Sequence, residues 1–450
     1  GGGAAAPLRG TARPMARCPG ARVSLRLAGE ARFAGRAARM PARILHAAPT
    51  SPSTHPSTIR VATRADLTRA VRAREGEVKL AQAMVPGDEW EWAQSAGDAA
   101  HAAAEPPHPT PRYGILGIPE DVGVRANFGR PGAVGGWDAF LASFGAMQAM
   151  QAHAPPRSGP DRPPPDRWTD RGAFDPGSVV VVGIVDVADL QAEAEASFCN
   201  GGGADDVSRL RRLVPEIDAR VAAAVSAVCQ AGLEVIVVGG GHNNCLPIIE
   251  AVATVHGAPI GVANLDPHAD LRSTVEGRHS GNGFSAAVDA GFLSHYALVG
   301  YHMPWNSLAS LASLDELCSK GKGYAVPYES IVDRGPTAFG EAVAGAAEFL
   351  RSSRCEHIGI EVDLDAIAGM PTSAMSPTGL SLDQTRHAVR ALARGPRSAV
   401  PVRYLHLAEG APSLGGPDGS RVVGRATAHL AWDYIAAREE ARRAKHVIAH

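Results

Sequence analysis

From residue 178 onward, short runs of β-branched residues alternate with longer segments of helical periodicity. The run Ser178 to Val187 is typical of a strand buried on both faces. Apolar residues at helical spacing between Leu210 and Val225 predict a helix over 207–232. The same alternation predicts strands at 234–238, 260–265, 296–300, 357–362 and 402–407, and helices near 246 and over 338–352, 381–394 and 424–445. This order favours right-handed crossovers, and therefore a three-layer α/β/α sandwich around a doubly wound, mostly parallel sheet.

The chain before Tyr113 lacks this alternation. Residues 1–75 show no sustained periodicity and are expected to form a disordered leader. Residues 76–112 combine a short helical pattern with a Pro/Ala-rich stretch and are expected to be a linker. We therefore expect one domain over 113–450, interrupted by a proline-rich insertion at 152–177.

Charge is distributed unevenly, although the formal net charge is only −2. Residues 1–60 contain ten arginines, no lysine and the single acid Glu30. This Ala/Arg/Ser/Pro-rich composition is typical of a transit peptide and predicts a mitochondrial or chloroplast location, with the cytoplasm as the alternative. A nucleic-acid-binding arm is disfavoured because lysines and interleaved aromatic residues are missing. No run of about 18 apolar residues predicts a membrane span, and six widely spaced cysteines argue against a disulfide framework or a thiolate zinc site.

Histidine and aspartate residues follow three of the predicted strands at their carboxyl ends, where parallel sheets bind ligands. These residues are His242, Asp266, His268, Asp270, Asp363 and Asp365. Each motif alone is weak, because aspartates are common in turns and strand-end histidines are commonly core residues. Together they place four carboxylates at one edge, where cations are needed to offset their repulsion. Oxygen and imidazole ligands without thiolate suit two divalent ions of Mn, Fe, Co or Zn.

These motifs resemble the three metal-binding motifs of the ureohydrolases, the family of arginase, agmatinase and formimidoylglutamase. The resemblance extends from about Tyr113 to the C-terminus and includes Asn127-Phe-Gly-Arg-Pro-Gly-Ala. It implies an arginase-like fold, two divalent ions per chain (Mn²⁺), a homo-oligomer (trimer or hexamer) and hydrolysis of a small linear amidine or guanidine. By resemblance, one ion would be held by His242, Asp266, Asp270 and Asp363, and the other by Asp266, His268, Asp363 and Asp365.

The resemblance also implies roles in catalysis. Asp270 would carry a proton to the leaving nitrogen, and Glu409 would pair with the cationic head of the substrate. The chain departs from the family pattern at several places. The turn before His242 lacks its usual aspartate, Pro267 lies in the turn before His268, Glu361 replaces a serine, and the usual Asp-Pro after Asp365 is missing. His279 lies one residue before the position of the proton-shuttle histidine, so it is a candidate shuttle.

Arginines after the second motif indicate the substrate class. Arg272 and Arg278 would suit a dicarboxylate, and Asn282 is a third candidate substrate-binding residue. The sequence is therefore most similar to formimidoylglutamase, which converts N-formimidoyl-glutamate to glutamate and formamide. Arginase, agmatinase and guanidino-acid hydrolase are alternatives, and Arg272 could instead only neutralise the aspartates. A one-metal zinc deacetylase of related fold and a catalytically silent metal-binding scaffold are further alternatives.

Overall fold

The computed structural model describes residues 57–90, 92, 111–150, 174–198, 204–395 and 400–449. Ten strands within these residues form one sheet, in the order β1-β4-β3-β5-β10-β9-β6-β7-β8, with β2 beside β4. They are β1 (Ile59–Val61), β2 (Val85–Pro86), β3 (Tyr113–Gly117), β4 (Val179–Val185), β5 (Glu234–Val238), β6 (Ile260–Leu265), β7 (Leu293–Tyr301), β8 (Gly323–Pro327), β9 (Ile358–Asp363) and β10 (Val402–Ala408). Among these pairings only β1 with β4 is antiparallel.

Helices cover both faces of the sheet. They are α1 (Arg64–Thr68), α2 (Leu80–Ala83), α3 (Val122–Ala126), α4 (Gly136–Gly145), α5 (Ala188–Phe198), α6 (Ala204–Gln230), α7 (Cys245–His256), α8 (Gly283–Asp289), α9 (Leu308–Ser319), α10 (Tyr328–Arg334), α11 (Ala338–Ser352), α12 (Leu382–Arg394) and α13 (Gly419–Ala449). One apolar core contains residues of α4, α11, α12 and α13, and a second contains residues of α5 to α9. The predicted three-layer α/β/α sandwich with a mostly parallel sheet is confirmed.

The central strands β5 and β6 have the predicted bounds, and β9 and β10 differ from theirs by one residue. All five residues of β5 and all six of β6 are buried, as expected for β-branched runs covered on both faces. The edge strand β8 was not predicted, because each of its residues is only half-buried and it lacks a continuous apolar run. Helices α9 and α10 beside it were also missed.

Residues 57–90 correct the predicted N-terminal boundaries. The expected leader and linker instead contribute β1, α1, α2 and β2 to the fold. Thr63 caps α1 in a reciprocal pair of hydrogen bonds with Asp66, and Leu67 and Leu80 are buried in the core. The Arg64 guanidinium donates to the carbonyl oxygens of Ala81 and Met84, which fastens α1 to the chain around α2. The arginine-rich composition suggested a disordered leader, although residues 57–90 are part of the folded domain.

The two N-terminal strands cover the outer edge of β4. Ile59 pairs with Val185 at one end of this edge, and Val85 pairs with Val180 nearer the other end. Covering an edge in this way removes unpaired backbone groups that would otherwise be available for pairing with another chain.

Parts of three predicted segments lie outside the described residues. These parts are residues 1–56 of the predicted leader, residues 91 and 93–110 of the predicted linker, and residues 152–173 of the predicted insertion. The end of the insertion is described from Phe174, which is buried and packs 4.7 Å from the Trp432 ring of α13. None of the helices in the described ranges has the length and apolar character required to cross a bilayer.

Candidate metal centre

Four neighbouring strands bring the predicted acidic residues together. In the order β5-β10-β9-β6, the carboxyl ends lie side by side, with Leu407 opposite Val238 and Ala408 opposite Asp363. His242, Glu409, Asp363 and Asp266 follow or end these strands and are all buried. The segments that follow these four strands are far apart in the sequence and meet at one edge of the sheet, as predicted.

The first group of side chains surrounds the His242 ring. Its Nδ1 atom lies 3.0 Å from Asp266 Oδ2 and 3.2 Å from the Oδ2 atoms of both Asp270 and Asp363. One donor atom from each of these four residues lies within 4.8 Å of the others. Three carboxylate oxygens facing one imidazole nitrogen form a compact donor set for a divalent cation.

The second group lies beside the first. His268, Asp363 and Asp365 offer donor atoms within 4.8 Å of one another. His268 Nδ1 is 3.6 Å from Asp266 Oδ1 and 3.8 Å from Asp365 Oδ2. Asp266 and Asp363 thus contact both groups, which is the arrangement that two adjacent ions sharing ligands require.

Local hydrogen bonds orient the carboxylates of Asp266 and Asp363. Asp266 Oδ1 accepts from the backbone N–H of His268 at 2.7 Å, and Asp363 Oδ1 accepts from that of Asp365 at 2.7 Å. Such turns fix one oxygen of each carboxylate locally and leave Oδ2 facing His242. Asp270 and Glu409 have the positive φ angles 49° and 66°, a costly conformation for residues other than glycine that is common at functional sites.

The electrostatics of the cluster require positive charge. Burial, and after it the charge of neighbouring carboxylates, raises the pKa of Asp270, Asp363 and Glu409. Both ring nitrogens of His242 are buried without a hydrogen-bond partner within the described chain, although three carboxylates surround Nδ1 and Glu361 faces Nε2. A cation among these atoms would satisfy the imidazole lone pair and neutralise the acids, so the donor set fits two divalent ions.

A family model described as the arginase family matches residues 113–436. The chain belongs to the arginase family. This confirms the family resemblance and the arginase-like fold predicted from the metal-binding motifs.

Several relatives within the arginase family share one name. The formimidoylglutamase of Hahella chejuensis is 25% identical over 328 residues, which cover 70% of this chain and 84% of that protein. The formimidoylglutamase of Salmonella paratyphi B is 25% identical over 330 residues, covering 71% and 84% respectively. The structure of Bacillus subtilis formimidoylglutamase aligns with a TM-score of 0.57 at 16% identity, over 82% of this chain and 94% of that one. Trypanosoma cruzi formiminoglutamase with Mn²⁺ aligns with a TM-score of 0.55 at 17% identity, over 81% and 100%.

A cavity of about 190 Å³ opens onto the metal centre of this arginase-family chain. The acids at its base include Asp270, Asp365 and Glu409, and polar side chains such as Asn127 and Ser280 lie around them. Trp305 lines the cavity and is 68% exposed. Its small volume and polar walls suit a small, charged substrate rather than a polymer.

Arg272 lines this cavity, as expected for a substrate-binding residue. Its stem lies across Gly281, where an added Cβ would be 3.0 Å from Arg272 Cδ. Within the described part of the chain, its backbone N–H bonds to Gly281, while its guanidinium has no recorded hydrogen bond or ion pair. The guanidinium is therefore available to an anion in the cavity.

Arg278 and Asn282 are not among the residues that line the cavity, so their contact with substrate stays a prediction. Arg278 Nε donates to Asp218 at 3.0 Å, and its other nitrogens donate to Asn282 Oδ1 and to the carbonyl of Asn243. The Asn282 amide donates to two backbone carbonyls in the 273–277 segment. Both residues hold the loop that follows the segment Asp266 to Asp270.

His279 does not line the cavity, although the next two residues, Ser280 and Gly281, do, and its role as proton shuttle stays a prediction. Its side chain is fully buried, Nδ1 accepts from the Gly281 N–H at 3.1 Å, and Nε2 lies 3.1 Å from Glu276 Oε1. Burial lowers the pKa of His279 to about 4. Both ring nitrogens of His279 therefore contact groups of its own loop, which favours a structural role.

Sequence reasoning missed three residues that support the centre. Glu120 accepts from the Gly241 N–H at 3.0 Å and from the Asn244 amide at 2.6 Å, which holds the turn before His242. Asn306 accepts from the Ala269 N–H at 2.8 Å. The third is Glu361, whose Oε2 lies 3.4 Å from His242 Nε2. Only Glu361 carried a sequence signal, as an acid in place of the family serine.

Proposed function

We propose that this chain hydrolyses the C–N bond of N-formimidoyl-glutamate, releasing glutamate and formamide, with two Mn²⁺ ions. The observation that carries the proposal is one cavity that contains both a buried carboxylate beside the metal centre, Glu409, and the guanidinium of Arg272, which has no partner within the described ranges. The amidinium group of this substrate requires an anionic partner such as Glu409, and its glutamate carboxylates require a cationic partner such as Arg272. The names of the relatives, formimidoylglutamases at 25% identity, support the same substrate.

We propose that one ion is held by the His242 group and the other by the His268 group. Their ligands would be His242, Asp266, Asp270 and Asp363 for the first, and Asp266, His268, Asp363 and Asp365 for the second. Hard carboxylate oxygens with imidazole and without thiolate suit Mn²⁺. Bound together, two such ions supply a water nucleophile at neutral pH by lowering its pKa.

Side chains of the cavity then orient the substrate and move its proton. Glu409 would pair with the formimidoyl nitrogens. Its Oε1 accepts from the backbone N–H of His242 at 2.8 Å, so the carboxylate is held in one orientation. Asp270 would accept the proton of the attacking water and deliver it to the leaving nitrogen. Arg272 would bind a carboxylate of the glutamate tail.

The test is a substrate panel with the full chain loaded with Mn²⁺. We expect formamide release from N-formimidoyl-glutamate, and much weaker turnover of arginine, agmatine and 4-guanidinobutyrate. Turnover of one of those three instead would reassign the substrate within the family. A loaded, folded protein that turns over none of the four would contradict the proposal and favour a silent scaffold.

Metal stoichiometry separates this proposal from a one-metal zinc deacetylase. We expect two Mn²⁺ ions per chain by elemental analysis after removal of free metal. One tight ion per chain would contradict the two-ion centre.

We further propose a homo-oligomer, a trimer or hexamer, on the basis of the family resemblance. Light scattering of the purified chain tests it, and a monomer at micromolar concentration would contradict it. Transport of the protein to a mitochondrion or chloroplast, directed by the leader, stays a prediction.

A further inference from the structure

Glu361 is a fully buried carboxylate to which the proposed reaction gives no role. It lies on β9, two residues before Asp363. Its Oε2 atom is 3.4 Å from His242 Nε2 and 2.6 Å from His406 Nδ1, and its Oε1 accepts from the Tyr404 hydroxyl at 2.8 Å. Because Nδ1 of His242 faces the three aspartates, Glu361 lies on the opposite side of the same ring.

Strand register explains how these side chains meet. In the pairing of β9 with β10, Tyr404 lies opposite Gly359 and His406 lies opposite Glu361. Residues two apart on a strand share a face, so all four side-chain positions lie on one side of the sheet. A Cβ at Gly359 would be 2.1 Å from Tyr404 Cε1, so only glycine there lets the tyrosine lie flat and reach Glu361.

The turn that carries His242 cannot itself supply this carboxylate. Gly241 precedes His242, and a Cβ at Gly241 would lie 2.5 Å from Asn243 Oδ1 and 2.8 Å from Val124 Cγ2. Asn243 is buried and its amide donates to Glu120, so it has little freedom to move. The neighbouring strand therefore supplies the acid that the turn cannot hold.

We propose that Glu361 is a positioning residue that accepts the Nε2 proton of His242 and so sets the affinity of the centre for the ion at Nδ1. Metal-binding histidines commonly donate their other ring N–H to a carboxylate, which fixes the tautomer and strengthens the ligand. His406 and Tyr404 hold the carboxylate in place from behind. The inference rests on the proposed metal centre but not on the proposed substrate.

A third metal ion among His242, Glu361 and His406 is the competing interpretation, since their donor atoms also lie within 4.8 Å of one another. The 2.6 Å contact between Glu361 and His406 and the hydroxyl of Tyr404 already satisfy the carboxylate. We therefore favour hydrogen bonding here and ions only on the Nδ1 side.

The experiment is a Mn²⁺ titration of the metal-free full chain by calorimetry, without substrate. Glu361→Gln keeps the shape of the side chain and removes its charge, and we expect one of the two ions to bind about 10- to 100-fold more weakly. The matched control is Tyr404→Phe, which removes a partner of the other oxygen, and we expect a change below about threefold. Failure of the substrate panel would leave these affinities untouched.

A double-mutant comparison separates positioning from general damage. In a His242→Asn background the added Glu361→Gln substitution should change Mn²⁺ affinity less than about threefold, because its effect passes through the imidazole. Three results would each overturn the proposal. They are an equal loss of Mn²⁺ affinity in both backgrounds, an unchanged Mn²⁺ affinity in a folded Glu361→Gln protein, and three ions bound by the parent. If Glu361→Gln does not fold, the same titrations on Glu361→Asp, whose shorter side chain withdraws from His242, decide it.

Discussion

Arg272 is the only arginine or lysine among the described residues that line the cavity. Replacing it with glutamine should raise KM for N-formimidoyl-glutamate by about 10- to 100-fold, the cost of losing a charged hydrogen-bond partner. The kcat should change by less than about threefold, since the guanidinium binds the tail and not the reacting carbon. Steady-state kinetics of the Mn²⁺-loaded variant measures both.

An amidine without carboxylates provides the control for this substitution. N-Formimidoyl-butylamine has the same reacting group, so its kinetics should be nearly equal in the parent and in Arg272→Gln. Arg209→Gln, at an exposed arginine paired with Glu193 outside the cavity, should leave both substrates unaffected. Equal loss on both substrates would mean that Arg272 acts on the aspartate cluster instead.

His279 provides a pH test of its structural role. Its pKa in the folded chain is about 4, below the ordinary value of 6.5, mainly because of burial. The unfolded chain therefore binds a proton first as the pH falls, and stability is lost between pH 6.5 and 4. His279→Asn should reduce the loss of unfolding free energy between pH 7.5 and 5 by about 1 kcal/mol, measured by urea denaturation.

The alternative outcome would restore the original prediction for this residue. A proton shuttle would give a variant with an unchanged pH dependence of stability and a kcat reduced by about 100-fold or more. If His279 only holds its loop, kcat should stay within about threefold of the parent.

The same residue shows where sequence reasoning stops. The metal-site aspartates were predictable because their spacing and their place after buried strands fix the direction of their side chains. For His279, similarity to the family pattern identified the loop but not the direction of the side chain. The contacts with Gly281 and Glu276 decide that direction. The contact of Glu361 with His242 depends on the register of β9 against β10, which one sequence does not reveal.

At the scale of elements, the segment 57–90 should contribute to stability although it resembles a leader. Leu67 of α1 is 1% exposed in the core, so Leu67→Ala should lower the free energy of unfolding by about 2–5 kcal/mol. The matched control is Val78→Ala in the same segment, which is 52% exposed and should cost less than about 0.5 kcal/mol. Denaturant titration compares them, and equal small effects would mean that the segment does not pack in solution.

Element prediction succeeded where a strong apolar pattern marks the element and failed where that pattern is weak. The strand β5 and the helix α11 have the predicted bounds because a continuous apolar run and a regular apolar stripe mark them. The half-buried β8 and the short α1 carry weak patterns of their own. They are ordered by contacts with β7 and α4, which are remote in sequence.

For the whole molecule, the metal centre couples binding to folding. Strands β5, β6, β9 and β10 form the middle of the sheet, and each delivers an acid or imidazole to the same point. Without cations, the close approach of these acids destabilises the folded chain, because unfolding would separate them. The centre of the fold therefore contains a built-in repulsion that bound ions relieve.

Removing the metal should accordingly lower the melting temperature, and more so at high pH. In the metal-free chain the pKa values of Asp270, Asp363 and Glu409 are raised. An acid with a raised pKa stabilises the fold only while protonated, so stability is lost as the pH rises through that pKa. We expect the chelated protein to melt at a lower temperature at pH 8 than at pH 5.5. Adding Mn²⁺ at about 100 times its Kd should restore about 2.7 kcal/mol at pH 8 for each ion bound, while Na⁺ at equal ionic strength should not. Scanning calorimetry measures each state, and a melting temperature indifferent to chelator and to Mn²⁺ would be incompatible with ions at the centre of the sheet.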